Sequence, residues 1–436
     1  MTIGNIISLA WKYLRSHFRR YFFLLSILAF SFAVITSITT LTEGMSRNVF
    51  RAAENHYGGH VFAIGFDDGR DKIANAGEII KTIDSSGFTY SKAVFRTMLN
   101  SRGVLHFAGS SVKQKYLFGI DWENEKSDFA ELDFTDALPD FQSLENGILI
   151  SSSVAEELQA RVGDDLVLEV TPKDGPKNTG IFIVKGIIRD NSIFGYYKCF
   201  ISLEKLNSLI GYAPGECSWI GFYFVNTEPA YQFDQAARIH SLLEKKFPMG
   251  PLVDDRDSLE SEISGSDKYP GFHYSVVTLN SYISQVGDLL TAMKLISYFL
   301  YVMMIIIALA SISVTYRLIL HERAREIGTI RVMGMESMLT QGVLVIECLF
   351  LLFAALFAGF ILALFFIWIL SLFSYAWIPG FEIFLHKGRL TAAFTQNLMI
   401  TNIAIMVITT LPAVWIPAAR ISRAKLPDIL SGESHA

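Results

Sequence analysis

The residues best suited to doing work in this chain crowd into one stretch, Arg317–Met338. There Arg323, Arg325 and Arg331 alternate with Glu322 and Glu326, while Ala324, Ile327, Ile330 and Met333 recur at helical spacing. Apolar and charged positions three and four apart describe a short amphipathic helix, one face greasy and one able to read a charged partner. Gly334 follows the last periodic residue, where a helix commonly stops in the left-handed region. Long apolar runs flank the stretch, so the helix is held at a membrane surface between two spans. Such a helix is placed to receive a push from a soluble partner and pass it on. Glu347 lies a few residues into the next apolar run. At that depth an ionisable group is either functional or a carboxylate paired with a neighbouring basic residue.

Bond-making chemistry finds no support. The chain has no G-x-x-x-x-G-K-[ST] phosphate loop and no H-E-x-x-H, C-x-x-C or G-x-S-x-G motif. His56 and His60 stand four apart, but Gly58-Gly59 between them breaks the helical face that would let both hold one metal. No catalytic residue and no metal site is therefore expected. Of the three cysteines, Cys348 lies in an apolar run as a small packing residue. Cys199 and Cys217 share one polar region and would be free to pair in an oxidising compartment, although two cysteines are no disulfide framework.

Four runs are long enough to cross a hydrocarbon core of about 30 Å: Tyr21–Leu41, Leu295–Tyr316, Gly342–Leu372 and Leu398–Pro417. They account for an apolar content of 51% over 436 residues. The fold class expected is an α-helical membrane protein with four transmembrane helices and a large extracytoplasmic α/β (α+β) domain between the first and second. The plan is an interfacial helix over 1–20 and spans at 21–42, 289–316, 339–372 and 398–417. The inserted domain covers 43–288, the helix-bearing loop 317–338, an outer loop 373–397 and a tail 418–436. The first span has a basic flank but no small-x-small cleavage site, so it is an uncleaved anchor. Its hydroxyl residues, Ser26, Ser31, Thr36, Ser37, Thr39 and Thr40, are assigned to helix packing, with a substrate-lining role as the alternative. Basic residues mark the inner side: Lys12, Arg15, Arg19 and Arg20 before the first span, the Arg317–Met338 loop, and Arg420, Arg423 and Lys425 at the end. Both termini are thus cytoplasmic and the large domain outside, in a multi-pass protein of the cytoplasmic (inner) membrane. Residues 43–288 hold 35 acidic against 23 basic residues, net −12, which argues against a nucleic-acid partner. Strand patterns at Gly147–Ser151, Leu166–Val170, Ile181–Val184, Phe200–Ser202 and Ile220–Val225 alternate with helical ones at Val154–Arg161, Leu203–Ile210 and Ala230–Lys246. The acidic stretch Asp121–Leu144 reads as a connection between two subdomains, and the unbroken run from Ser275 to Tyr316 as a possible outward stalk.

The loop Glu322-Arg323-Ala324-Arg325-Glu326-Ile327-Gly328-Thr329-Ile330-Arg331-Val332-Met333-Gly334 resembles the E-R-x-R-E-I-G-x-x-[RK]-x-x-G signature of ABC-transporter permeases of the MacB/FtsX/LolC type. Glu347 resembles the glutamate that family carries in its next span. Pro417-Ala418-Ala419-Arg420 with Leu426-Pro427-Asp428-Ile429-Leu430 is similar to the family's terminal motif, with imperfect spacing. Asn146–Leu158, Val162-Gly163-Asp164 and Phe182–Ile188 resemble the module placed after the first span. The size of the outer domain and the Phe118-Gly119-Ile120-Asp121 segment look most like the lipoprotein-releasing LolC/LolE branch. A fused ATPase of the MacB kind is not in the sequence, and the third span has only Gly342 and Gly359, fewer glycines than the family usually shows.

The resemblance implies roles for these residues. Glu322, Arg323, Arg325, Glu326, Ile327, Gly328, Arg331 and Gly334 would form a coupling helix docking on a separate cytoplasmic ABC ATPase, present in two copies. A second permease subunit, identical or different, would complete the complex. This chain would bind no cofactor and would not be an enzyme by itself; ATP and Mg would sit on the partner. Substrate-binding residues are not assigned. The work done would be mechanotransmission, extracting or exporting lipoproteins or other amphiphilic substrates from membrane lipid. The alternative is an FtsX-like regulator that transports nothing and activates an outer partner. A membrane-anchored sensor or enzyme is the third reading, and the loop signature disfavours it.

Overall fold

The computed structural model describes residues 11–12, 14–15, 18–67, 70–141, 144–173, 175–189, 194–264, 272–378 and 380–423. The interfacial helix expected over 1–20 and Leu426–Leu430 of the terminal motif fall wholly or largely outside them. In chain order, α1 (Phe18–Tyr57) leads into β1 (Val61–Asp67), β2 (Arg70–Asp71), α2 (Ala76–Ser85), β3 (Lys92–Phe107), β4 (Ser110–Ile120) and α3 (Trp122–Ala130). Next come β5 (Gly147–Ser151), α4 (Ser152–Leu158), β6 (Asp165–Val170), β7 (Asn178–Ile188), β8 (Lys198–Ser202), α5 (Leu203–Ile210), β9 (Trp219–Tyr223), α6 (Pro229–Leu243), β10 (Met249–Val253), α7 (Arg256–Ser264) and β11 (His273–Thr278). The chain finishes with α8 (Leu279–Glu322), α9 (Ala324–Val332), α10 (Ser337–Leu372) and α11 (Gln396–Arg423).

Among the described residues, α1, α8, α10 and α11 are long and apolar enough to cross a membrane. At 1.5 Å per residue, α1 and α8 run to about 60 and 66 Å, twice a hydrocarbon core. The chain divides into two compact units. The membrane unit holds residues up to Arg47, Thr291–Ser374 and everything from Arg389. The α/β unit holds Asn48–Leu290 together with Tyr375–Gly388.

In the membrane unit, Leu24, Leu28, Phe32 and Ile35 of α1 pack with Leu351, Leu352 and Ala355 of α10 and with Met406 and Val414 of α11. Few glycines do not mean loose packing here. A Cβ on Gly359 would come within 2.5 Å of the Ala29 carbonyl oxygen, so this one glycine lets α10 and α1 touch backbone to backbone. The hydroxyls of Ser37, Thr39 and Thr40 turn back onto carbonyls one helical turn earlier, and Asn402 of α11 donates to Thr39 at 2.8 Å. Helix α8 buries least of the four, leaving Leu295, Ile296, Phe299 and Ile306 exposed.

The α/β unit is one sheet in the order β10-β11-β1-β9-β3-β4-β8-β5-β7-β6. Strand β3 has 16 residues and serves two neighbours on one edge: Lys92–Arg96 pair with β9, whereas Gly103–His106 pair with β6. The β3–β6 pairing closes β3, β4, β8, β5, β7 and β6 into a ring around one apolar core, with Leu105, Ile148, Val184 and Ile201 inside it. The other strands, with α2 and α6, enclose a second core around Val61, Ile79, Phe222 and Val276. There are two subdomains, but their boundary is not Asp121–Leu144. That stretch contains α3, capped by the Asp121 carboxylate on the Glu123 amide, and the two lobes join instead through β3. Cys199 lies in the ring core and Cys217 in the other; both thiols are free and buried. The segment between α10 and α11 docks on the α/β unit, where Asn48 donates to the Phe384 carbonyl at 2.8 Å and Ile383 and Phe384 are buried.

Candidate functional site

The charged stretch folds around one arginine. Helix α8 persists to Glu322, and the Arg323 amide closes its last turn on the Ile319 carbonyl at 3.1 Å. The Arg323 carbonyl then accepts from the Ile327 amide at 3.0 Å, starting α9. Arg323 is thus the hinge residue between the two helices. At the other end of α9, the Gly334 amide donates to the Arg331 carbonyl at 3.1 Å and the Met335 amide to that of Ile330 at 3.3 Å. With φ at +100° on Gly334, this is a Schellman stop, as the glycine's position suggested.

The Arg323 side chain points inward and is 2% exposed. One guanidinium nitrogen donates to a Glu347 carboxylate oxygen at 2.6 Å and to the Tyr21 hydroxyl; the other terminal nitrogen reaches the second carboxylate oxygen at 3.4 Å. The Tyr21 hydroxyl in turn donates to Glu347 at 2.8 Å. Tyr21 and Glu347, 302 and 24 positions from Arg323 along the chain, therefore share one buried knot with it, joining the start of α1, the root of α9 and the first third of α10. Nearby, the Tyr316 hydroxyl of α8 donates to the Leu344 carbonyl of α10 at 3.2 Å. A buried ion pair of this kind holds only while every member is satisfied, and removing one partner strands the other charge.

Residues 298–426 match the family model described as FtsX-like permease C-terminal. The chain's C-terminal third is that of an FtsX-like permease. The protein is a multi-pass inner-membrane protein of the ABC-transporter permease class, and the family implies an ABC ATPase partner and dimerisation. No curated protein sequence matches the permease. Among solved structures it is similar to the periplasmic region of MacB from Actinobacillus actinomycetemcomitans, at 13% identity over 52% of this chain and 93% of that one, with a TM-score of 0.29. It is also similar to a domain assigned to a permease protein of Porphyromonas gingivalis, at 12% identity over 50% of this chain and 87% of that one, TM-score 0.27. Similarities this low carry no argument beyond the observation itself.

In the permease the signature residues part into two sets. Arg323, Ile327 and Gly328 are buried in the membrane unit, whereas Glu322, Arg325 and Gly334 are exposed and Glu326 and Arg331 half-buried. Arg323 therefore does not belong to a surface that a partner could touch, and its guanidinium serves the interior. Glu347 takes the paired state that its depth in the span allowed as one of two possibilities. Tyr21 is the member that sequence reasoning missed. Its signal was a phenol at the first position of an apolar run, at the same membrane level as the basic loop, which resembles any interfacial tyrosine. Among the described residues no three His, Cys, Asp or Glu gather to hold a metal.

Proposed function

We propose that this permease works by mechanotransmission, with α9 as the lever that a separate cytoplasmic ATPase moves. One observation carries the reading: the root of α9 is tied by Arg323 to both α1 and α10, so α9 cannot be displaced without loading two spans at once. Glu322 and Arg325 stay exposed on the same short helix, which supplies a charged docking face. Both termini and α9 lie on the cytoplasmic side, and the α/β unit lies outside. The docking of Tyr375–Gly388 on that unit fits four spans, because a four-span chain puts the α8-preceding domain and the α10–α11 connection on the same side, and the basic termini and loop choose which side is inner. The substrate is a lipoprotein or another amphiphile drawn from the outer leaflet, in the manner of the LolC/LolE branch, which the large size of the outer domain favours over a purely regulatory role. Two ATPase copies and a second permease subunit complete the working complex.

The test is charge reversal at Arg325, an exposed site that leaves the buried knot intact. Arg325→Glu is expected to abolish co-purification of the ATPase from native membranes and stimulation of its turnover, with the thermal stability of the permease unchanged. Wild-type co-purification and stimulation would refute α9 as the docking element. Mass spectrometry of lipids and lipoproteins retained by the wild-type complex addresses the cargo.

A further inference from the structure

The C-terminal end of α1 is gripped by side chains in a way that helix geometry alone does not require. A helix leaves its last carbonyls unpaired, and these usually find a glycine-based stop or water. Here two of them, Asn55 and His56, accept from one Arg96 guanidinium nitrogen at 3.0 and 2.7 Å, and the next, Tyr57, accepts from the Trp219 indole at 3.0 Å. Arg96 on β3 and Trp219 on β9 are direct partners in the strand register, so one rung of the sheet holds three consecutive carbonyls. The rest of the Arg96 guanidinium goes to Glu125 of α3, its Nε lying 2.9 Å from one carboxylate oxygen and 3.2 Å from the other. Both side chains are fully buried. Gly58 has φ at +79°, and a Cβ there would stand 2.5 Å from the Arg96 Nε, so the chain leaves the helix by the route that makes room for the arginine.

The start of α8 is joined to the same point. The Leu279 amide donates to the His60 carbonyl at 2.8 Å, and the Tyr57 and Tyr282 rings stack with centroids 4.5 Å apart. From these contacts we infer that Arg96 is the positioning residue through which displacement of α1 reaches the outer domain. Its position on β3 decides this. That strand pairs with the open part of the sheet through Lys92–Arg96 and with the ring through Gly103–His106, so a pull delivered at Arg96 enters both lobes by one backbone. The positive charge also complements the C-terminal dipole of a 40-residue helix. The transmission half of the inference rests on the permease mechanism proposed above; the grip itself does not.

The test uses full-length permease in lipid nanodiscs, alone and assembled with its ATPase. The paired change Arg96→Met with Glu125→Leu removes both charges and keeps apolar bulk, so neither partner is stranded. In the protein alone, amide exchange over Asn55–His60 is expected to rise at least tenfold while that of β5–β8 stays put. Wild-type protection at α1's end would overturn the grip. Should the paired variant melt throughout, Arg96→Lys decides. A lysine keeps the charge beside Glu125 but lacks the planar fork that also reaches two carbonyls. It must loosen α1's last turn selectively, and unchanged protection overturns the grip equally. In the assembled complex, spin labels at Ser111→Cys on β4 report movement between the two outer domains on adding ATP and vanadate. The expected result is a wild-type distance shift that the paired variant loses while ATPase binding persists. A full shift in the variant would overturn the transmission role. No shift in the wild type would instead strike the mechanism proposed above, leaving the exchange experiment to judge the grip.

Discussion

Removing either partner of the knot under α9 should loosen that helix far more than removing both. In Arg323→Met the Glu347 carboxylate keeps the Tyr21 hydroxyl but loses its buried counter-charge, which approached to 2.6 Å. In Glu347→Leu the guanidinium, 2% exposed in the native protein, loses its buried carboxylate and keeps the half-buried Glu326, 3.4 Å from its Nε. Charges about 4 Å apart attract by about 4 kcal/mol at an effective dielectric near 20, and breaking a buried pair from one side typically costs about 3–5 kcal/mol. A loss of about 3 kcal/mol in α9 docking raises its local opening roughly 100-fold. The paired variant Arg323→Met with Glu347→Leu strands no charge, so its loss should fall short of the summed single losses by about 2 kcal/mol or more. Amide exchange over Ala324–Val332 in lipid nanodiscs measures the opening, and tryptic cleavage after Arg325 gives an independent reading. Additive single effects, within about 0.5 kcal/mol, would refute the knot. Single variants with wild-type protection would show that α9 is held by the apolar contacts of Ile327 alone.

Three further outcomes follow from particular atoms. Tyr21→Phe deletes one hydroxyl between two charged groups and should cost about 1.5–3 kcal/mol in the same exchange assay; no change would mean that the ion pair stands without it. Gly359→Leu drives a side chain into the Ala29 carbonyl, and packing of α1 on α10 should weaken by about 1–3 kcal/mol or more, read as a lowered melting temperature in detergent; an unchanged melt would deny the close approach. Burial pushes the Cys217 thiol up to about 12 and raises that of Cys199 as well, so both stay protonated at neutral pH. The native protein should therefore resist maleimide between pH 7 and 8 and show no mobility change on reduction, whereas rapid labelling or a reducible bridge would contradict the two separate cores.

What the sequence disclosed was local and periodic. Apolar runs of about 20 residues or more read as spans, so four helices were legible, as was the stop at Gly334, because only a residue without a Cβ enters a left-handed turn freely. In the α/β unit, β5 and α5 were found with the bounds the structure gives them, since Gly147–Ser151 is a short apolar run and Leu203–Ile210 is amphipathic. Strands β3 and β4 were not. Their alternation is blurred because different parts of β3 face different neighbours: Arg96 and Thr97 are fully buried polar residues, and Ser101 interrupts the pattern at positive φ where the β3–β4 register shifts. A strand shared by two lobes does not keep one face wet and the other dry, which is the pattern that period-two reading detects.

Both important arginines escaped the sequence. Arg323 was read as part of the docking helix and Arg96 drew no reading, for arginines are seldom fully buried. Each is buried because its acceptors come from distant segments: Tyr21 and Glu347 in one case, Asn55, His56 and Glu125 in the other. No window along the chain contains those groups together. The two arginines also share a logic that spacing cannot reveal. Each sits where a long helix ends, Arg323 at the end of α8 and Arg96 at the end of α1, and each spends its planar fork on tying that end to another element. A lysine would satisfy the charge at either place, but a single ammonium cannot hold a carboxylate and a second acceptor in fixed directions as a guanidinium does. If force is to pass from one helix to another with little slack, the residue at the joint must fix angle as well as distance. Both joints of this permease use the side chain that does so.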